Sequence, residues 1–184
     1  MTSTGFYLES RKIISDHRCI KTLSTGVAMG FFYFLMMLFG YLSGEPLPVL
    51  DLYWAVTKLI LAYSLFCIYK STGKGKHAGG GIIIAASAFL TAWGFFTGGN
   101  PIAVLMDALS IAVISLVLYD VSKVVPEANL EKPAGAIFLG LMFSLVSQTT
   151  IAALGLLLVV IGMVYSANRL DFVYSLSKRL SGGT

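Results

Sequence analysis

Lys58 and Asp107 are the residues of this sequence best placed to do chemistry, because each lies within a long apolar run. A charge inside a bilayer is expensive, so an intramembrane Lys or Asp pairs with a partner, faces a bundle interior or lines an ion path. Asp107 falls about two turns into NPIAVLMDALSIAVISLVLYD, residues 100–120, and Lys58 falls within residues 50–69. If the two segments cross the membrane in the same direction, each charge sits roughly 10 Å deep, six residues in at about 1.5 Å per residue. Equal depth and opposite sign predict a buried ion pair. Such a pair joins two helices of one subunit, two copies, or this chain and a partner. The plainer alternatives are Lys58 snorkelling outward and Asp107 accepting a local hydrogen bond from Ser110. An ion-handling role is the weaker expectation, since relays normally align several acids or histidines.

The other reactive side chains offer less. Cys19 and Cys67 show no pairing or metal-ligand spacing and suit a reduced cytoplasmic side. His17 and His77 fall at the edges of apolar runs, so they read as surface histidines and not as haem ligands. No set of His, Cys, Asp and Glu has the spacing of a metal site, and no cofactor is expected. Residues 70–81, KSTGKGKHAGGG, are rich in Gly and Lys but lack the Gly-Lys-Ser/Thr of a phosphate loop, because Gly75 follows Lys74 and His77 follows Lys76. They read as a flexible basic loop. No serine elbow or Cys/His pair suggests a nucleophile.

Composition decides the class that must position these residues. Hydrophobic residues make up 57 % and charged residues 12 %, and mean hydropathy is +0.82. A soluble domain of this length cannot hide that much apolar surface, so the sequence predicts an integral membrane protein. The net charge of +4 comes from residues flanking apolar runs, which points to topology and anionic headgroups and not to nucleic acid. The first apolar run begins near Gly26, after a segment bearing both charge signs, and is expected to be a retained helix and not a cleaved signal.

The pattern predicts an all-α, polytopic helical bundle with about six transmembrane helices, the last two short. Their expected spans are residues 26–42, 50–69, 81–96, 101–119, 133–147 and 150–165. Residues 133–165 are apolar almost throughout. One helix of that length would reach about 50 Å against a bilayer core of about 30 Å, so a turn near Gln148 is expected. Tyr53, Trp54 and Tyr69 mark the ends of the second span as interfacial aromatics. Residues 1–25 read as a basic amphipathic segment on the membrane surface, with Phe6, Ile13 and Ile20 at seven-residue spacing. Residues 167–184 read as a second amphipathic tail, with Leu170, Val173, Leu176 and Leu180 on one side.

With six crossings, every one of the 13 lysines and arginines except Lys58 falls on one side. By the positive-inside rule that side is the cytoplasm, so both termini are expected there, in a plasma or inner membrane. Arg11, Lys12, Arg18, Lys21, Lys70, Lys74 and Lys76 would contact headgroups or a partner. Small residues draw two packing stripes: Gly81, Ala85, Ala88 and Ala92 on the third helix, and Ala108, Ala112 and Ser115 on the fourth. Gly94 and Gly98 match the GxxxG spacing but run into a turn.

Three functions follow as expectations. The first is a non-catalytic membrane subunit of a larger homo- or hetero-oligomeric assembly, of the form used in secretion, conjugation or respiratory machinery. The second is a small-solute or ion transporter using Asp107 and Lys58, its cavity lined by Thr57, Ser64, Ser110, Ser115 and Gln148. The third is an intramembrane enzyme of lipid or quinone chemistry. An enzyme is the weakest reading, because no cluster of acid, base and nucleophile is visible.

Overall fold

The computed structural model describes residues 17–44, 47–98, 101–125, 128–146 and 148–181. These hold six α-helices and no strand: α1 (His17–Ser43), α2 (Val49–Thr72), α3 (Gly75–Thr97), α4 (Pro101–Val124), α5 (Glu131–Ser144) and α6 (Thr149–Ser181). Five of them are long and apolar enough to cross a membrane; α5 is the exception. With 14 residues, α5 reaches about 21 Å, short of a bilayer core of about 30 Å.

Each helix packs against the next, and α6 closes on α1, so the six form a ring. The Tyr41 hydroxyl donates to the Thr149 carbonyl at 3.4 Å, and Ser24 donates to the Ala167 carbonyl at 3.3 Å. The start of α6 therefore meets the end of α1, and the two run antiparallel. The turns after α1, α3 and α5 share one end of the ring, called here the hairpin end. The start of α1, the turns after α2 and α4, and the end of α6 share the other, the basic end. Apolar side chains fill the interior, among them Leu23, Val27, Leu65, Ile84, Leu118 and Met163. They also cover the outside: Phe89 is 67 % exposed and Phe96 77 %. Large apolar groups on both surfaces are what a helix bundle solvated by lipid requires.

The helices are longer than the apolar runs alone predict. The flexible loop expected at residues 70–81 is almost entirely helix; only Gly73 and Lys74 lie outside α2 and α3. Gly73 adopts φ 70° and donates its N–H to the Tyr69 carbonyl, a left-handed cap that glycine tolerates without strain. The glycine-rich start of α3 is helical because its small residues let neighbours in. A Cβ at Gly80 would lie 3.0 Å from Val113, and one at Gly81 would lie 3.1 Å from the Phe66 ring. Close packing thus overrides glycine's poor helix propensity. The stretch left between the expected spans 101–119 and 133–147 shortens in the same way, with Val125, Ala128 and Leu130 buried and the Leu130 N–H bonded to Ser122 at 3.1 Å.

Further expectations meet a different structure. The tail at residues 167–184 is no separate surface helix: α6 continues unbroken to Ser181, about 50 Å for its 33 residues. Of its apolar stripe, Leu170 and Val173 lie in the same core as Ile20 and Leu23 of α1. The amino-terminal segment, up to residue 16, lies outside the described residues, and residues 17–25 belong to α1. Trp54 is buried at 1 % exposure and is not interfacial. Cys19 and Cys67 are bonded to each other across α1 and α2, with their Cα atoms 5.5 Å apart. A pair so distant in sequence leaves no spacing signal. His77 is also buried, within the glycine-rich turn of α3, and is not a surface histidine.

Candidate functional site

Lys58 lies nine residues into α2 and Asp107 six into α4, so their Cα atoms are about 14 and 9 Å from the helix starts at the hairpin end. The two helices are not sequential neighbours in the ring. Lys58 reaches Asp107 along the inner face of α3, which lies between them in chain order and in packing. That face presents Ser87 and Thr91, one helical turn apart and both buried.

The four side chains form a closed network. The Lys58 ammonium donates to Ser87 Oγ at 2.9 Å, to Thr91 Oγ1 at 2.6 Å and to Asp107 Oδ1, with which it is ion-paired. Each hydroxyl in turn donates to Asp107 Oδ1 at 3.0 Å. All three ammonium protons therefore have an acceptor inside the chain. The Trp54 ring adds its face, 5.3 Å from the ammonium. Tyr33 of α1 stacks on Trp54 at 4.6 Å between centroids, and Phe34 meets it edge-on at 5.2 Å. Three helices thus supply the polar groups and a fourth buttresses the aromatic wall. Such completeness is what makes a buried ion pair tolerable in a medium of low dielectric.

The two charges differ in access. Lys58 is fully buried, whereas the Asp107 side chain is 26 % exposed. It lines a cleft of about 310 Å³ together with Asp51, Thr91, Gly94, Phe95 and Val104. Pro48 and Gly98, from the turns at the hairpin end, also border the cleft, so it opens toward that end. Two carboxylates therefore converge on one recess, with the ammonium on its inner side.

Several sequence expectations meet this geometry. Lys58 and Asp107 are brought together within one chain, across α2 and α4. Lys58 does not snorkel. Ser110 donates to the Met106 carbonyl at 2.8 Å and not to Asp107. The hydroxyls expected to line a cavity are spent elsewhere: Thr57 on Tyr53, Ser64 on Leu61, and Ser115 on the Ala134 carbonyl of α5. Gln148 lies at the turn before α6. On the packing stripes, Gly81, Ala88 and Ser115 are buried, while Ala85, Ala92, Ala108 and Ala112 are half-buried at the edges of their faces. The buried face of α3 runs instead through Gly80, Ile84, Ser87, Thr91 and Gly94. Lys70, Lys74, Lys76, Arg18 and Lys21 belong to the basic end, where Lys76 pairs with Asp120 at 2.5 Å and Lys21 lies over the Tyr174 ring at 5.6 Å. Arg11 and Lys12 lie outside the described residues.

Sequence reasoning missed Ser87, Thr91, Trp54 and Asp51. One signal was available for the first two: hydroxyls at i and i+4 in an otherwise apolar helix. Nothing in the sequence marked Asp51, which reads as an ordinary acid in a helix's first turn. Among the described residues no group of His, Cys, Asp and Glu is arranged to hold a metal ion. No protein-family model matches the sequence, and no curated protein or solved structure is significantly similar to it.

Proposed function

We propose that this chain is a multi-pass membrane protein that takes a small cationic solute or ion into the cleft above the Lys58–Asp107 cluster. The observation that supports it is the unequal exposure of the pair: the ammonium is sealed in, while the carboxylate faces an open recess shared with Asp51. Cation binding is favoured there because Lys58 balances only one of the two carboxylates that face the recess, and a bound cation balances the second. In this reading the basic end is cytoplasmic, both termini lie there, and the cleft opens to the outside of a plasma or inner membrane. Six crossings complete the topology, with α5 spanning a locally thinned or tilted layer. Lys70, Lys74 and Arg18 sit among anionic headgroups.

The test is flux from liposomes. Purified protein is reconstituted, a proton or monovalent cation gradient is imposed, and its decay is followed with a dye. Wild type dissipates the gradient faster than empty liposomes, and Asp107→Asn does so at the empty-liposome rate while eluting as a folded species. Equal rates for wild type and empty liposomes, with every cation tried, defeat the proposal.

A second reading rests on a different observation. Every ammonium proton of Lys58 is satisfied within the chain, as in a fixed clasp. The protein is then a non-catalytic subunit of a larger homo- or hetero-oligomeric membrane complex, and the cluster serves only to hold α2, α3 and α4 in register. Gentle extraction that brings the same stoichiometric partner each time, together with absent flux, favours this reading over the first.

A further inference from the structure

The acidic cleft does not end at its own walls. Asp51 and Pro48 also line a second groove of about 470 Å³, whose other walls include Met36, Met37, Tyr41 and Leu50. A third recess of about 360 Å³ joins Met36 and Leu50 to Phe95, which in turn borders the acidic cleft. The lining is therefore sorted: Asp107 and Thr91 on the α3–α4 side, thioethers and aliphatic groups on the α1–α2 side, and Asp51 of α2 on the boundary. Each recess is within the size range of small-molecule sites, which are mostly apolar with a few convergent polar groups.

The charges choose the ligand's sign. Asp51 and Asp107 face the cleft and Lys58 is sealed beneath it, so the recess carries a net charge of about −1 when all three are ionised. An anion is repelled. A bare metal ion seeks several oxygen ligands; among the described residues no group of His, Cys, Asp and Glu is arranged to hold one, and the side chains of Met36, Met37 and Leu50 in the adjoining groove offer it no oxygen. A neutral apolar molecule leaves one of the two carboxylate charges uncompensated. A cationic head with an apolar arm satisfies both halves, and unbranched methionine side chains adapt to arms of varied shape.

We infer that the joined cleft and groove bind a small amphipathic organic cation, its charged nitrogen between Asp51 and Asp107 and its apolar arm against Met36, Met37 and Leu50. This rests on the cation-uptake reading and names its substrate class. Benzyltrimethylammonium is the probe, with neopentylbenzene as its neutral isostere, measured by equilibrium dialysis against protein in zwitterionic lipid nanodiscs. The expected result is saturable binding of the cation, at least about tenfold weaker binding of the isostere, and at least about tenfold loss in Asp51→Asn, a change outside the Lys58 network. Asp120→Asn, an acid at the opposite end, leaves binding unchanged. Leu50→Ala weakens benzyltrimethylammonium more than tetramethylammonium. Equal binding of cation and isostere, no effect of Asp51→Asn, or no saturable binding overturns the inference. Flux of protons or inorganic cations without benzyltrimethylammonium binding overturns the inference alone; loss of both removes the uptake reading as well.

Discussion

Lys58 is held by contacts that no single neighbour could supply. Burying an ammonium and a carboxylate costs several kcal/mol for each ion, recovered only when geometry and hydrogen bonding are complete. Here the ion pair, two hydroxyl bridges and an aromatic face provide that completeness. Removing one charge strands the other, so Lys58→Met or Asp107→Asn alone is expected to destabilise the protein by about 3–5 kcal/mol. The double change Lys58→Met/Asp107→Asn strands nothing and should recover much of that loss, a coupling measured by a double-mutant cycle in a detergent-unfolding assay. Thr91→Val keeps the shape and removes one bridge between the charges, with an expected cost of about 1.5–3 kcal/mol. Additive effects of the two charge changes would mean that the pair does not interact in the folded protein. The pair itself was legible in the sequence because a charge in an apolar run stands out against its surroundings. Ser87 and Thr91 were not, since a hydroxyl is unremarkable in a membrane helix and gains meaning only when a charge is aimed at it.

At the scale of the helix, what decides α5 is the surface it presents to α6. A 14-residue helix that contributes few residues to the core can hold its place only by close contact. Gly140 and Gly155 allow it: a Cβ on Gly155 would press on the Ser144 nitrogen and lie 2.6 Å from the Gly140 carbonyl oxygen. Those are backbone atoms, which cannot swing aside. Gly155→Ala should therefore push α5 off α6 and cost about 1–3 kcal/mol, the usual penalty for overpacking. Gly135 lies in the same helix with open space where a Cβ would go. Gly135→Ala should stabilise by about 0.5–1 kcal/mol, through helix propensity alone. Thermal unfolding followed by circular dichroism should shift in opposite directions for the two variants, and a shared direction would remove the close α5–α6 contact from the account. The same physics explains which helix boundaries the sequence could yield. Apolar runs located all six helices, because bilayer solvation demands them. The start of α3 at Gly75 was not legible, because a polar, glycine-rich stretch becomes helical there through the close packing of Gly80 on Val113 and of Gly81 on Phe66.

For the whole molecule, two features of the basic end bear on which end faces the cytoplasm, and they point in opposite directions. Arg18, Lys21, Lys70, Lys76, Lys123 and Lys178 gather there, which by the positive-inside rule assigns it to the cytoplasm. The Cys19–Cys67 bond lies at the same end, and disulfides persist in oxidising compartments. The charges carry more weight. They act on topology while the chain inserts, and among the described residues Lys58 is the one lysine or arginine off that side. A Cα–Cα separation of 5.5 Å, by contrast, lets two thiols sit side by side in a reducing compartment without moving either helix. We therefore expect the hairpin end to face outward. In a Cys19→Ala/Cys67→Ala background, single cysteines at Thr97 and at Gly75 report the two ends, since both positions are exposed and a side chain at Gly75 meets nothing. A membrane-impermeant maleimide applied to intact cells should label Thr97→Cys alone, and Gly75→Cys should react only after permeabilisation. The reverse pattern would turn the cleft of Asp51 and Asp107 toward the cytoplasm, so that any cation it binds would be captured from inside the cell, and would make the disulfide the better guide to orientation.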